Sequence, residues 1–175
     1  MDGKNCLLRS SIDKTAYSVV QLLVKKGLKL SSAESCTGGL ISAAITSVAG
    51  SSEVFDEGIC TYANSAKMKY LEVPAETLDE FGAVSEETAL AMVKGIAKQS
   101  GSDIAVSVTG IAGPTGGTLE KPVGTVYVGL FVKGKASARL VYTNPLDSDG
   151  NVREFVRLST VLAALEWIES ELFRM

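Results

Sequence analysis

The sequence predicts one α/β domain with helices on both faces of a sheet that holds at least one antiparallel strand. Stretches with apolar residues at helical spacing alternate along the chain with short β-rich runs, which is typical of this fold class. Two of the β-rich runs, 123–132 and 136–143, flank Lys133-Gly134-Lys135 and are predicted to form a hairpin. A length of 175 residues is enough for one complete core.

The remaining elements follow from the same spacing rules. We expect residues 1–10 to form a loose N-terminal leader and residues 11–175 to form a single domain. Predicted helices cover 11–26, a segment that begins at Leu40, 64–71 with Asn64 as the N-cap, 74–81, 85–99 with Ser85 as the N-cap, and a segment from about 152 to the end. Predicted strands outside the hairpin cover 28–33, 59–63 and 103–109.

Charge, hydropathy and cysteine content exclude several classes of function. The formal net charge is −3 and there is no basic run, which argues against a nucleic-acid-binding surface. No apolar stretch reaches transmembrane length, and the first residues lack the apolar core of a signal peptide. The three cysteines are too few for a disulfide framework or a zinc site. We therefore expect a cytoplasmic protein that binds neither membranes nor nucleic acid.

The chain contains no histidine. This excludes Ser-His-Asp and Cys-His catalysis, together with most zinc chemistry. If the protein is an enzyme with a nucleophile, its base has to be a lysine, a tyrosine, an aspartate or a glutamate.

The most informative stretch, Ala33-Glu34-Ser35-Cys36-Thr37-Gly38-Gly39-Leu40, falls where a predicted strand ends and a predicted helix begins. The first amides of such a helix favour a phosphate or a developing oxyanion, and Gly38 and Gly39 allow a ligand to approach the backbone. Ser35 is then a hydroxyl at the mouth of a pocket. The alternative is that Ser35 or Thr37 only caps the helix.

A second glycine-rich loop, Gly110 to Gly117, follows the predicted strand that ends at Thr109. It has neither the spacing of the dinucleotide-binding fingerprint nor the Gly-Lys of a Walker loop. A flexible surface loop is the alternative. In open α/β sheets ligands bind at the carboxyl ends of strands, so the two loops together favour a site for a small phosphorylated ligand.

Several other side chains are candidates for chemistry. Lys67 lies at the third helical position if Asn64 caps its helix, and both the helix dipole and partial burial would lower its pKa, so that it could serve as a general base. Tyr62 could orient or share that proton, and Cys36 could replace Ser35 as the nucleophile. Arg153 and Arg157 could clamp a phosphate. A solvated lysine, a strand aromatic, a packing cysteine and surface arginines are the respective alternatives.

Six motifs follow one another along the chain: Ala33-Glu34-Ser35-Cys36-Thr37-Gly38-Gly39, Gly50-Ser51-Ser52, Tyr62-Ala63-Asn64 with Lys67, Gly82-Ala83-Val84-Ser85-Glu86-Glu87-Thr88-Ala89, Thr109-Gly110-Ile111-Ala112-Gly113-Pro114, and Lys121-Pro122-Val123-Gly124-Thr125-Val126. In sequence and order they resemble the CinA C-terminal domain family over about residues 12–172.

Members of this family include nicotinamide-nucleotide amidohydrolases, which convert nicotinamide mononucleotide to nicotinate mononucleotide and ammonia in pyridine nucleotide recycling. The resemblance implies a three-layer α/β/α sandwich with a mixed, mostly parallel sheet that contains one antiparallel strand. It also implies a homo-oligomer with no metal and no other cofactor. The name of the family further links it to competence and DNA damage.

The resemblance also implies roles for individual residues. Ser35 would attack the carboxamide carbon, Lys67 would take the proton of Ser35, and Tyr62 and Thr109 would complete the hydrogen-bond network. The remaining expected substrate-binding residues are Cys36, Thr37, Gly38, Gly39, Asn64, Gly110, Ala112, Gly113 and Arg153, with Arg153 preferred to Arg157.

Two questions stay open at the level of sequence. Either loop could hold the phosphate while the other serves the oxyanion. The chain could also be a catalytically silent nucleotide-binding or regulatory domain of the same fold, or an amidase for another small amide.

Overall fold

A five-stranded mixed sheet forms the centre of the protein, for which a computed structural model describes residues 3–175. The strand order is β2-β1-β3-β4-β5. Strand β1 is parallel to β2 and β3, whereas β4 is antiparallel to both β3 and β5, so β4 alone runs against the other four strands of this sheet. The predicted mixed sheet is confirmed. The strands are β1 (Leu30–Glu34), β2 (Phe55–Cys60), β3 (Ile104–Gly110), β4 (Thr125–Val132) and β5 (Lys135–Tyr142).

Helices flank the sheet in two groups. The helices are α1 (Gly3–Lys26), α2 (Leu40–Thr46), α3 (Asn64–Leu71), α4 (Ala75–Phe81), α5 (Glu86–Ser100) and α6 (Val152–Arg174). Apolar residues of α1, α2 and α6 share one core cluster with Ile104, Val106 and Val108 of β3, whereas residues of α3, α4 and α5 cluster with Ala105. Because successive residues of a strand point to opposite faces, the two helix groups cover different faces of β3. Two 3₁₀ turns, Ser51–Glu53 and Pro145–Asp147, complete the secondary structure of the described residues.

The predicted loose leader is wrong for residues 3–10, because α1 already begins at Gly3; Met1 and Asp2 lie outside the described residues. Leu8 lies four residues before Ile12 and extends the apolar stripe of the helix toward its start. Lys4 donates its amide to Asp149 Oδ2 (2.8 Å), and Arg9 Nη2 bonds Glu154 Oε1 (2.5 Å), so both ends of this segment are tied to other parts of the fold.

The structure tests three of the helix and turn predictions. Ser85 is the N-cap of α5, as predicted, and its hydroxyl accepts the amide of Thr88 (3.1 Å). Asn64 is not an N-cap: Ala63 occupies that position, and Asn64 is the first helical residue. The β4–β5 hairpin turns over two residues, Lys133 (φ 45°) and Gly134 (φ 90°), as the twist of paired strands favours.

The topology brings three loops to one edge of the sheet. Strands β1, β2 and β3 are parallel, so their carboxyl ends lie together. The loop 35–39, the junction 61–63 and the loop 111–124 follow these three strands in turn. Among the described helices none has the length and apolar character that a bilayer span requires.

Candidate active site

A buried lysine and a serine form the centre of the candidate site. The Nζ atom of Lys67 lies 3.1 Å from Ser35 Oγ. Ser35 follows β1 directly, and Lys67 lies in the first turns of α3, after β2. The lysine is 1% exposed and the serine 8% exposed, so the contact is shielded from water. The two residues that sequence reasoning singled out as nucleophile and base are therefore in hydrogen-bond contact.

The other contacts of Lys67 are all with uncharged groups. Its amine donates to the carbonyl oxygens of Thr61 (2.9 Å) and Tyr62 (3.1 Å), and no carboxylate within residues 3–175 forms an ion pair with it. Burial lowers the pKa of Lys67 below its usual 10.5, and the nearby thiols of Cys36 and Cys60 offset part of that shift. The alternative of a solvated lysine is wrong.

The backbone holds Ser35 on both sides. Its amide donates to the carbonyl of Val108 in β3 (3.0 Å), and its carbonyl accepts the amide of Gly38 (3.1 Å). Gly38 and Gly39 have φ values of 62° and 93°, a region that favours glycine. The loop therefore turns tightly between β1 and α2, as the sequence predicts.

Neither Ser35 nor Thr37 caps α2. Gly39 is the N-cap residue and has no side chain to do so. Instead the carboxylate of Glu34 accepts the amides of Gly39 (3.0 Å) and Ile41 (3.1 Å) at Oε2 and that of Ser42 (2.9 Å) at Oε1. The capping alternative is thus wrong as stated. The amides of Gly39, Ile41 and Ser42 are therefore not free to bind a phosphate or an oxyanion, because Glu34 already accepts their hydrogen bonds.

Tyr62 and Thr109 make contacts other than the predicted ones. The hydroxyl of Tyr62 accepts a hydrogen bond from Arg153 Nη2 (2.8 Å), and only its carbonyl reaches Lys67. Thr109 donates its hydroxyl to the carbonyl of Ala83 (2.6 Å), between α4 and α5. Their predicted place in the Ser35–Lys67 network is not found, because each hydroxyl is directed to another partner.

Cys36 is poorly suited to replace Ser35 as the nucleophile. Burial raises the pKa of the Cys36 thiol to about 12, and the negative charge of Glu34 acts in the same direction. A thiol in this environment stays protonated near neutral pH, and the thiolate is the nucleophilic form. Cys36 is therefore a packing residue of the site.

Two arginines of α6 reach the two glycine-rich loops. Arg153 Nη1 donates to the carbonyl of Gly113 in the second loop (2.9 Å), and Arg157 Nη2 donates to the carbonyl of Thr37 in the first (2.7 Å).

Both arginines line an open cavity of about 210 Å³. Arg157 Nε is buried and has no partner among the described residues, nor has Thr37 Oγ1. The arginines thus connect α6 to both loops and are not isolated surface residues, although neither Ser35 nor Lys67 lines this cavity. The other lining residues are Arg9, Leu40, Asn151, Glu154 and Leu158.

The first part of the second loop, up to Gly113, packs against β4, whereas residues 114–120 are exposed. Ile111 donates its amide to the carbonyl of Thr125 and accepts that of Gly124, both at 2.9 Å. Ala112 is 3% exposed, and a Cβ on Gly113 would lie 2.4 Å from a methyl carbon of Val123. Gly110, the last residue of β3, pairs with Val126.

Asn64 has an exposed position at the start of α3, close in sequence to Tyr62. Its role as a substrate-binding residue stays a prediction, as does that of Gly110, Ala112 and Gly113.

Sequence reasoning missed two residues of the site. Arg9 lines the arginine-containing cavity but was placed in the leader; the spacing of Leu8 and Ile12 could have shown that the helix includes it. The sequence analysis assigns Glu34 no role of its own. A glutamate in a buried strand needs partners, and a helix that begins at glycine lacks a cap, so these two facts together could have pointed to the contact.

The fold and site define a class of protein: an α/β domain whose serine, after the first strand, contacts a buried lysine from the helix after the second. The family model of the CinA C-terminal domain matches residues 12–172, most of the chain. The chain therefore belongs to the CinA C-terminal domain family.

Relatives of known sequence support this assignment to the family. A CinA-like protein of Kosmotoga olearia is 53% identical over 154 residues, and one of Geotalea daltonii is 52% identical over 160 residues. These matches cover 88% and 91% of this chain but only 36% and 37% of the relatives, so the chain spans little more than a third of their length.

Solved structures show the same fold. The competence/damage inducible protein CihA of Agrobacterium tumefaciens is 44% identical, with a TM-score of 0.86 over 93% of this chain and 96% of that one. A CinA superfamily protein of Klebsiella pneumoniae is 32% identical, also with a TM-score of 0.86, over 94% and 99% of the two chains.

Proposed function

We propose that the protein is an amidohydrolase that converts nicotinamide mononucleotide to nicotinate mononucleotide and ammonia, with Ser35 as the nucleophile and Lys67 as the base. The observation that carries this proposal is the 3.1 Å contact between Ser35 Oγ and the buried Nζ of Lys67. A serine needs a base to be activated, and in a chain without histidine a lysine with a lowered pKa can supply it.

The hydrogen bonds of Lys67 suit a neutral amine. A neutral amine has two N–H groups and one lone pair, and Lys67 has two carbonyl acceptors and one hydroxyl as partners. With its two N–H groups on the carbonyls of Thr61 and Tyr62, the lone pair is left for the hydroxyl proton of Ser35. The same atoms would hold the lysine in place when it becomes protonated.

The reaction would follow the usual course of acyl transfer. Ser35 Oγ attacks the carboxamide carbon while Lys67 takes the hydroxyl proton, which gives a tetrahedral intermediate. Lys67 returns the proton to the leaving nitrogen, so ammonia departs and an ester to Ser35 remains. A water molecule that loses a proton to Lys67 then attacks this ester. Lys67 returns that proton to Ser35 Oγ as the acid is released, which restores the free serine and the neutral lysine.

Charge distribution supports a phosphate at the arginines. Arg153 and Arg157 line one open cavity, in which the carboxylate of Glu154 is paired with Arg9. The buried Nε of Arg157 has no partner within the described residues. Guanidinium groups bind phosphate through paired N–H donors. Because Glu34 takes the first amides of α2, the oxyanion would be met by amides of residues 36–37 or of the second loop.

We extend the proposal to the protein's surroundings, as its family resemblance suggests. The two helix groups would form the outer layers of a three-layer α/β/α sandwich. The protein would act as a cytoplasmic homo-oligomer on a small phosphorylated substrate, without a cofactor and without binding nucleic acid or membranes.

The test is ammonia release from nicotinamide mononucleotide by the purified protein. We expect turnover in the wild type, loss of turnover in Ser35→Ala and in Lys67→Met, and retention of most activity in Cys36→Ala. Nucleotide binding, measured by calorimetry, should persist in Ser35→Ala because the arginines remain.

Other outcomes would point to other functions. A wild type that binds the nucleotide without releasing ammonia would favour a catalytically silent binding domain. Ammonia release from another small amide alone would favour a different amidase. Turnover that survives Ser35→Ala would exclude Ser35 as the nucleophile.

A further inference from the structure

Glu34 is fully buried directly before Ser35, although no lysine or arginine within residues 3–175 forms an ion pair with it. Besides the three amides of α2, its Oε1 accepts the hydroxyl of Ser42 (2.8 Å), so four hydrogen bonds surround the carboxylate. The start of a helix carries partial positive charge, which stabilises a carboxylate at this place. The charge is thus matched to α2 rather than to a cation.

The contact closes the loop that carries Ser35. Residues 35–38 follow Glu34 and lead into α2. The side chain of Glu34 hydrogen-bonds the amide of Gly39 at the start of α2, so both ends of this loop meet at Glu34. Without the carboxylate of Glu34, no side chain would accept the first amides of α2, because the N-cap residue is Gly39. Ser35 therefore lies in a short loop whose two ends are joined by the side chain of Glu34.

The backbone of Glu34 is linked to the other half of the pair. Its carbonyl accepts the amide of Thr61 (2.8 Å), and the carbonyl of Thr61 in turn accepts the amine of Lys67 (2.9 Å). Glu34 is therefore bonded through its side chain to α2, which follows Ser35, and through its backbone to Thr61, which in turn bonds Lys67.

We propose that Glu34 is a positioning residue for the reactive serine: its buried carboxylate, by capping α2 across the loop, sets Ser35 Oγ at hydrogen-bond distance from Lys67. This inference rests on the proposed Ser35–Lys67 pair, but it does not depend on which amide is the substrate.

The test uses covalent labelling of Ser35 by a small fluorophosphonate, followed by intact mass and peptide mapping. In this reaction the Ser35 Oγ–P bond forms, the P–F bond breaks, fluoride leaves and Lys67 takes the serine proton. The variant is Glu34→Gln, which keeps the size of the side chain but turns an NH₂ group toward two of the four donors. Glu166→Gln, an exposed change on α6, is the matched control.

We expect the second-order rate constant of labelling to fall about tenfold or more in Glu34→Gln, since displacement of a reacting group by ~1 Å can cost ~100-fold. The rate should not change in Glu166→Gln. Measurements are made well below the unfolding midpoint of each variant. A rate constant of folded Glu34→Gln equal to that of the wild type would overturn the proposal.

A double-mutant cycle separates positioning from general destabilisation. If Glu34 acts by aligning Ser35 with Lys67, Glu34→Gln should cause no further loss in a Lys67→Met background. An equal fold loss in both backgrounds would assign Glu34 a purely structural role. Should Glu34→Gln not fold, Ser42→Ala removes one of the four bonds and should give a smaller loss that the same cycle abolishes; an unchanged rate would contradict the inference.

The labelling also distinguishes this inference from the proposed function. Labelling that depends on Glu34, in a protein that releases no ammonia from nicotinamide mononucleotide, would overturn the substrate alone. Ammonia release together with labelling that is indifferent to Glu34 would overturn the positioning role alone. A wild type that is not labelled at Ser35 would overturn the positioning role and the reactive pair together.

Discussion

Lys67 and Glu34 are both buried at the site, in opposite surroundings. Lys67 has two carbonyl oxygens and a hydroxyl around its amine, whereas Glu34 has three amides and a hydroxyl around its carboxylate. Neither is paired with an opposite charge in the described part of the chain. Burial without a counter-charge favours the neutral form of the lysine, which is the form a general base needs.

The pH dependence of activity follows from Lys67. Its pKa is lowered from 10.5 by burial, so the amine loses its proton at a lower pH than an exposed lysine does. We expect kcat/KM for ammonia release to rise with pH and to level off above a midpoint that lies below 10.5. Lys67→Met should lose about 100-fold or more and show no such rise. Rates that are independent of pH in the wild type would contradict the role of Lys67.

The free energy of unfolding should also rise with pH because of Lys67. The unfolded chain keeps the lysine proton up to the ordinary value of 10.5, whereas the folded chain releases it earlier. Between the two pKa values the unfolded state binds more protons, so the free energy of unfolding gains a contribution that rises with pH. Urea denaturation of wild type and Lys67→Met at several pH values measures this difference.

The two arginines of α6 are expected to recognise the phosphate. Arg153→Gln and Arg157→Gln should each raise KM for nicotinamide mononucleotide about tenfold or more, since a hydrogen bond to a charged group contributes about 1.5–3 kcal/mol. KM for nicotinamide riboside, which lacks the phosphate, should change little. Arg139→Gln is the control, because Arg139 stacks on Trp167 away from this cavity. Equal effects on both substrates would place the phosphate elsewhere.

At this scale the sequence predicted the main pair but not its surroundings. Ser35 and Lys67 stood out because each lies where a strand meets a helix, and such junctions gather at one edge of a parallel sheet. The contacts of Glu34, Tyr62 and Thr109 join residues whose side-chain directions depend on the packing of several elements. Spacing along the chain does not carry that information.

At the scale of elements, close backbone contact between α5 and α3 holds the lysine-bearing helix in place. A Cβ added to Gly95 in α5 would lie 2.1 Å from the carbonyl oxygen of Leu71, the last residue of α3. That oxygen belongs to the backbone and cannot rotate away. Gly95 therefore allows α3 to approach α5 more closely than any other residue would.

Gly95→Ala should destabilise the protein, although the same change in an exposed helix usually stabilises it by about 0.5–1 kcal/mol. The added methyl group has to displace α3, so we expect a lower unfolding midpoint together with slower labelling of Ser35. Gly3→Ala, in a helix and with nothing within 4 Å, is the control and should not lower the midpoint. A more stable Gly95→Ala protein would show that α3 can move without cost.

Deletion of residues 1–10 tests the part of α1 that was expected to be a leader. Leu8 packs against the core, and its removal should cost about 1–2 kcal/mol. For a chain of this length that lowers the unfolding midpoint by about 2–8 °C. Arg9→Gln removes only an ion pair at the surface and should change the midpoint far less. An unchanged midpoint after the deletion would show that the contacts of this part of α1 do not stabilise the fold.

The elements themselves were largely predictable, and their ends were not. The stripe of α6 and the N-cap of α5 follow from local spacing and from Ser85. The sequence predicts Asn64 as the N-cap of α3, one position too late. Ala63 has the extended backbone of an N-cap (φ −82°, ψ 154°), but it has no capping side chain that would reveal this position in the sequence. Lys67 is consequently the fourth helical residue rather than the third, still within reach of the helix dipole.

At the scale of the whole molecule, the reversed direction of β4 decides where the second glycine-rich loop lies. Gly110 at the end of β3 pairs with Val126 near the start of β4, so residues 111–124 leave and return at one edge of the sheet. A parallel connection would have required a crossover to the opposite edge. The predicted hairpin already implied an antiparallel strand, but the order of the strands became known only from the structure.

The two-residue turn between β4 and β5 lies at the other end of the sheet. Val132, just before the turn, pairs with Ile104, the first residue of β3, whereas the site lies beyond the last residue of that strand. Extra residues at Lys133–Gly134 would therefore extend into solvent on the side remote from the candidate site. For engineering, this turn is the natural attachment point for an affinity tag, a fluorophore or a surface tether that leaves the edge with Ser35 and Lys67 accessible.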